Sequence, residues 1–183
     1  MLSAPFAALL ASYEPADARE RQFLARMHDL ASTASPFDRN SFAPGHFTAS
    51  AFVVDPKTHS LLLILHKKLG LWLQPGGHID PGDELAALAA RREVLEETGV
   101  SELSPLFGNA GIFDVDIHTI PARKLEPGHE HFDVRFAFAA ENPVLSESDE
   151  VAGARWVPLV ELPTLTSDES VLRAARKLLS LGV

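Results

Sequence analysis

The chain has 183 residues, 46% of them hydrophobic and 22% charged, with a formal net charge of −9 and no cysteine. That length carries one domain with a sizeable core plus an extension. The missing cysteine excludes disulfides and thiolate chemistry, and the acidic balance argues against a duplex-wide nucleic-acid footprint. No apolar run is long enough for a membrane helix, and the N-terminus lacks the basic n-region of a signal peptide, so a reducing cytoplasm fits.

Residues 1–44 read as a helical extension ahead of a main domain at 45–183. Pro15 suits the first turn of a helix running to about Ala31, with Phe23, Leu24, Met27, Leu30 and Ala31 as its apolar stripe. That stripe packs on its own domain, or serves as a lid or a homodimer contact. Ser35 to Asn40 reads as a linker.

Phe47 to Val54 and Ser60 to His66 have the β-branched and aromatic content of strands, paired as a hairpin around the Asp55–His59 turn. Lys67 and Lys68 follow, either as a solvated strand end or as a phosphate contact. Leu71 to Gln74 is a short strand, and its Trp72 either packs the core or stacks on a base.

The stretch from Leu73 to Val100 concentrates chemistry. A Gly76-Gly77 turn, which lets backbone groups approach a ligand closely, precedes a helix ending at Gly99, where a C-cap glycine belongs. Glu93, Glu96 and Glu97 share one face of that helix; Leu88 and Leu95, with Ala87, Ala90 and Val94, are expected to form its buried side. Like charges at this spacing cost about 0.2–0.5 kcal/mol per pair. Arg92, four before Glu96, offsets part of that, and the remainder calls for water or a hard, oxygen-loving divalent cation.

Leu103 to Ile120 is expected to supply two short strands broken near Gly108–Gly111. Alternation then places Asp114, Asp116 and His118 on one face and Phe113, Val115 and Ile117 on the other; His131, Asp133 and Arg135 likewise oppose Phe132, Val134 and Phe136. Such a face is either the wet side of an antiparallel sheet or a substrate surface. A second metal at His118, His129 and His131 is a further option. Glu141 to Glu150 reads as an acidic loop, Ala154 to Pro158 as a final strand, and Thr166-x-x-Glu169 as a capping box before a C-terminal helix lined by Val171, Leu172, Ala175, Leu178 and Leu179.

The glycine turn and acidic helix together resemble the Nudix box, Gly-x5-Glu-x7-Arg-Glu-U-x-Glu-Glu-x-Gly-U, with U a bulky aliphatic. Arg92, Glu93, Val94, Glu96, Glu97, Gly99 and Val100 match its second half, and Glu84 its earlier glutamate. Counting back from Glu84 lands on His78 instead of a glycine, so one extra residue lies in the loop, placed at Asp80–Asp83; either Asp83 or Glu84 fills the glutamate position. The later His-rich stretch is similar to a Nudix subgroup, of no assigned substrate, that carries Asp-Ile-His, Pro-Ala-Arg-Lys and His-x-His-x-Asp-Val-Arg-Phe.

The resemblance implies an α+β fold, a Nudix-type α/β/α sandwich with a mixed central sheet. It also implies Mg²⁺-dependent hydrolysis, Mn²⁺ substituting, of a nucleoside diphosphate linked to another moiety or a related diphosphate, by attack of an activated water at phosphorus. Glu93, Glu96, Glu97 and the Gly76 carbonyl would hold the metal, with Arg92 orienting the acids. The general base would be Glu93 or a loop acid, Glu147 or Glu150, of which Glu150 is preferred. Lys67, Trp72, His118, Arg123, Lys124, His131 and Arg135 are the candidate contacts to a small phosphorylated substrate. A catalytically silent nucleotide-binding module is the alternative; such modules lose box acids, whereas all of Arg92, Glu93, Glu96 and Glu97 are here. An isopentenyl-diphosphate isomerase, which relies on Cys, does not fit, and the missing basic stripe argues against RNA decapping.

Overall fold

The structure is a computed structural model that describes residues 3–108, 111–123, 126–146, 148–166 and 168–183. Its elements run α1 (Ser3–Ala11), α2 (Ala18–Ala31), β1 (Gly45–Asp55), β2 (Ser60–Leu65), β3 (Trp72–Leu73), β4 (Gly76–His78), α3 (Ala86–Thr98), β5 (Leu103–Pro105), β6 (Asp114–Ile120), β7 (His129–Ala140), β8 (Ala154–Pro158), a 3-10 turn (Leu159–Glu161), α4 (Leu162–Leu165) and α5 (Glu169–Ser180). The strands form one sheet in the order β3-β2-β1-β7-β5, with β4 on β1, β6 on β7 and β8 on β2. This is the α+β arrangement of a mixed sheet with helices expected from the sequence. No described helix is long and apolar enough to cross a membrane. The chain divides into two compact units, and both β1 and β7 pass from one to the other.

The first unit comprises residues 1–50, 77–90 and 111–136. The helix expected from Pro15 starts three residues later, because Asp17 caps it by accepting from the Glu20 N–H at 2.8 Å. Glu20 itself is buried, and its carboxylate accepts from the Tyr13 hydroxyl at 2.6 Å and the Ala16 N–H at 2.7 Å. Helix α2 packs on α1 and on β6, which covers Met27 and Leu30 within the chain. Phe6, Phe37 and Phe47 form a ring cluster with centroids 4.6–5.6 Å apart, and such pairs add about 0.5–1.5 kcal/mol each beyond area burial. Strand β1 opens at Gly45, whose φ is +158°. A Cβ there would stand 1.8 Å from the Glu130 carbonyl oxygen, so only glycine fits against the start of β7.

The ladder β6/β7 is antiparallel and pairs Asp114 with Arg135, Asp116 with Asp133 and His118 with His131. These are the residues that alternation placed on one face. The expectation that the face is wet or meets substrate at Arg135 fails, however, because most of it is interior. Arg135 is 1% exposed, and Asp114, Asp116 and Asp133 are also buried. The guanidinium donates from Nε to Asp133 at 2.9 Å and from Nη1 to Asp114 at 3.3 Å, and its Nη2 stands 3.2 Å from Asp116. Thr48 and Ser50 donate to Asp133 at 3.1 and 2.7 Å. Burial alone would lower the Arg135 pKa; Asp116, Asp133 and Asp114 outweigh it, and the side chain is held firmly protonated. Arg135 is thus a buried structural cation and not a substrate contact.

The second unit comprises residues 51–76, 91–110 and 137–183. Strand β2 is its centre, antiparallel to β3 and to β8 and joined to β1 through the expected turn. Asp55 closes that turn by accepting from the Lys57 N–H at 2.9 Å and the Thr58 hydroxyl at 2.8 Å. The final helix is capped not by Thr166 but by Asp168, whose side chain accepts from the Ser170 and Val171 N–H groups; the Thr166 hydroxyl accepts from the Asp168 N–H instead. Its buried face is Val171, Ala174, Ala175 and Leu178, with Leu179 exposed.

Candidate active site

Helix α3 carries the acidic residues, and its buried side holds Ala87, Ala90 and Val94 as expected but not the two leucines. Leu88 and Leu95 are 45% and 48% exposed, while Ala86, Ala89, Ala90 and Val94 are buried. Small side chains let a helix approach its neighbours closely, so alanine, not leucine, marks the inner face here. That choice sets the environment of the carboxylates. Glu97 is buried, the Glu93 side chain is 13% exposed, and Glu96 lies further out at 40%.

Each acid is held by a different device. Arg92 donates from Nη1 to Glu93 at 2.9 Å and to Glu96 at 2.8 Å, bridging the two. The Gly76 N–H donates to Glu97 at 3.0 Å, which ties the glycine turn to the helix. Carboxylate oxygens of Glu93, Glu96 and Glu150 lie within 4.8 Å of one another. Burial raises the Glu93 pKa, and Glu96 and Glu150 add to the rise while Arg92 opposes it. Burial also pushes Glu97 up to about 8; the Gly76 N–H pulls it down, and the charges of Glu93, Glu150 and Glu96 push it further up.

These are acids gathered at a cost in repulsion that a divalent cation would relieve, and every donor is a hard oxygen. The donors therefore suit a hard divalent ion, and the carboxylates that converge are those of Glu93, Glu96 and Glu150.

Sequence reasoning missed two serines that build this arrangement. The Ser148 hydroxyl donates to the Glu96 carbonyl at 2.7 Å and accepts from the Glu150 N–H at 3.2 Å. It thereby moors the loop bearing Glu150 to the helix bearing Glu96. Ser146 donates its N–H to the Thr98 carbonyl at 2.9 Å, and a Cβ on Gly99 would fall 2.0 Å from the Ser146 hydroxyl oxygen. Gly99 also has φ +77°, so the glycine both ends the helix and leaves room for the loop. The only signal for either serine was their position beside the acidic loop.

The remaining candidates lie as follows. Lys67 donates from Nζ to the Asp149 carbonyl, one residue before Glu150, which places it beside the same loop. Trp72 carries the Arg155 guanidinium 4.6 Å from its ring centre. In the first unit, Arg123 is exposed and forms a short bridge with Glu126. The His118 side chain is 43% exposed and lies 3.3 Å from Asp116. His131 sits among the rings of His46, His78, His118 and His129. Lys124 and Glu147 fall outside the described residues. The turn at the extra loop residue closes on itself: the Asp83 N–H donates to the Asp80 carbonyl at 2.9 Å, and the Asp80 N–H to the Asp83 carboxylate at 2.8 Å.

Comparison with known proteins agrees with this geometry. The model of the NUDIX domain matches residues 44–178. A Bacillus subtilis (strain 168) protein provisionally named 8-oxo-dGTP diphosphatase is 32% identical over 118 residues, 64% of this chain and 70% of that protein. The crystal structure of a NUDIX-family hydrolase from Clostridium perfringens is 28% identical, covers 74% of this chain and 97% of its own, and superposes with a TM-score of 0.55. The NUDIX domain of Shewanella oneidensis NrtR, solved with ADP ribose, has the same fold at 19% identity and a TM-score of 0.55, covering 75% of this chain and 88% of that one. The chain belongs to the Nudix family, as a MutT-like hydrolase of pyrophosphate bonds.

Proposed function

We propose that this protein is a Mg²⁺-dependent pyrophosphohydrolase that cleaves a nucleoside diphosphate linked to another moiety, or a related diphosphate, by attack of water at phosphorus. The observation that carries this reading is the convergence of Glu93, Glu96 and Glu150, bridged by Arg92, beside the buried Glu97. Residues 45–183 form the catalytic domain and residues 1–44 its helical extension; the family match beginning at residue 44 supports this division.

Glu93, Glu96 and Glu97 hold the ion, with the Gly76 carbonyl as a further ligand, and Mn²⁺ substitutes. What the ion supplies when bound is neutralisation of phosphate charge and a lowered pKa for water. Arg92 fixes the rotamers of Glu93 and Glu96, so they need no reorganisation during the reaction. Glu150 accepts the proton of the attacking water; its carboxylate is near enough to Glu93 and Glu96 for one water to bridge them. The P–O bond of the pyrophosphate bridge then breaks and the leaving phosphate takes the electron pair. Lys67, placed by Asp149, offers the nearby cation for the phosphate chain.

The substrate is a small phosphorylated molecule, and the relatives make an oxidised deoxynucleoside triphosphate and ADP ribose the first two to try. A screen of phosphate release with Mg²⁺ tests the reading, covering nucleoside triphosphates, nucleotide sugars, dinucleoside polyphosphates and ADP-ribose, with Glu97→Gln as control. Nucleotide binding without turnover on every substrate would favour the silent module instead.

A further inference from the structure

Five histidines of the first unit crowd together, and the pyrophosphatase reading rests on none of them. The rings of His46, His129 and His131 form a near-equilateral triangle, with centroids 4.9, 5.2 and 5.2 Å apart. One nitrogen of each lies within 4.8 Å of the other two. His78 packs against this triangle, 5.1 Å from His46 and 5.4 Å from His131.

The tautomers follow from the outer contacts. His46 Nδ1 lies 3.1 Å from the Ser41 carbonyl, and His129 Nδ1 lies 2.9 Å from the Pro127 carbonyl. A carbonyl only accepts, so each Nδ1 carries a hydrogen, and in the neutral ring Nε2 keeps the lone pair. This is the arrangement of a metal-binding histidine, whose second nitrogen donates to a backbone carbonyl or a carboxylate. His46 is 0% exposed, and its Nε2 has no hydrogen-bond partner among the described residues. A buried lone pair without a donor calls for one, and a cation supplies it.

We propose that His46, His129 and His131 bind a borderline divalent transition ion of the zinc type, with its fourth position open to water or to His78. All-nitrogen ligation selects such an ion and disfavours Mg²⁺, which takes oxygen. The site is thus chemically separate from the carboxylate set on α3. Burial favours the neutral, ligating form of His46, His78 and His131: it lowers the pKa of His46, that of His78 to about 4, and that of His131 to about 2, with the neighbouring imidazoles adding to the effect. Arg39 acts against a cation here, and Asp38 and Asp80 act in its favour. Because His46 follows Gly45 at the start of β1 while His129 and His131 open β7, the ion would clip the two strands where glycine already lets them meet.

The test uses the untagged full-length chain, stripped by chelator and titrated with Co²⁺ in excess Mg²⁺, which keeps the carboxylates occupied. The expected result is a visible cobalt absorption that saturates at one ion per chain and is erased by Zn²⁺. His131→Gln and His129→Gln should each weaken binding by at least about 100-fold, since loss of an outer-shell partner alone costs about 10–100-fold. His118→Gln should leave it unchanged. Circular dichroism of the metal-free variants separates lost ligation from lost fold, and His131, the more exposed ligand, is the variant least prone to unfold. Absence of a saturable cobalt signal, or a signal that survives in His131→Gln and His129→Gln but disappears in Glu93→Gln, overturns the proposal.

Discussion

The Ser148 hydroxyl donates to the Glu96 carbonyl at 2.7 Å, joining the loop that carries Glu150 to the helix that carries the other acids. Ser148→Ala removes this mooring and the acceptor for the Glu150 N–H. The contact is exposed, so stability should fall by no more than about 1 kcal/mol. With Glu150 as the proposed proton acceptor, its displacement should slow turnover about tenfold, the effect of about 1.4 kcal/mol of added barrier. Steady-state kinetics beside a thermal melt check this; unchanged kcat would remove Ser148 from the positioning of Glu150.

Arg135 should prove a stability residue. Arg135→Met leaves Asp114, Asp116 and Asp133 buried without their cation, and breaking a buried ion cluster on one side costs about 3–5 kcal/mol. Denaturant unfolding measures it. A variant of normal stability but raised KM would return Arg135 to the substrate surface.

The two glycines in tight places should differ in tolerance. Gly45→Ala meets a backbone carbonyl and should destabilise by about 2 kcal/mol or more, whereas Gly99→Ala meets the Ser146 hydroxyl, which can turn away, and the Ser146 Cβ at 2.8 Å, which moves only with its exposed loop, and should cost about 1–2 kcal/mol, mainly for its left-handed φ. Adding Ser146→Ala to Gly99→Ala should recover part of the loss. Equal costs at the two positions would contradict the packing described.

Asp55 gives a pH signature. Burial would raise its pKa, but the Lys57 N–H and the Thr58 hydroxyl and N–H outweigh that and hold it below the usual carboxylate range. A depressed folded pKa contributes stability that is present above the unfolded value near 3.8 and is lost as pH falls below it. The stability gap between the natural chain and Asp55→Asn should therefore be steady from neutrality to about pH 5 and close below pH 4. A gap independent of pH would show that the charge is not what closes the turn.

The strands and the central helix were legible because period and turn chemistry are local. The final strand is an example: Ala154 to Pro158 was expected and is found. Alternation likewise grouped Asp114, Asp116, His118, His131, Asp133 and Arg135 correctly, and the register pairs them across two strands. What alternation does not report is what covers a face, so a buried ion cluster read as a wet one. The same limit acted on α3, where Ala87, Ala90 and Val94 are buried as expected but Leu88 and Leu95 face outward. Two features were illegible for want of local signal: Ser148 acts over 52 residues, and His46 joins His129 and His131 only once β1 and β7 have met.

The account depends on the acids of α3 gripping a divalent ion. The direct measurement is Mg²⁺-dependent hydrolysis of a diphosphate substrate by Glu97→Gln beside the natural chain, with a thermal melt of both. Removing a buried carboxyl whose charge its neighbours oppose should leave the melting temperature unchanged or higher. Turnover should fall by about 100-fold or more, since charge stabilisation by a metal supplies several kcal/mol. A Glu97→Gln protein that folds and hydrolyses its substrate at near the natural rate would contradict the account.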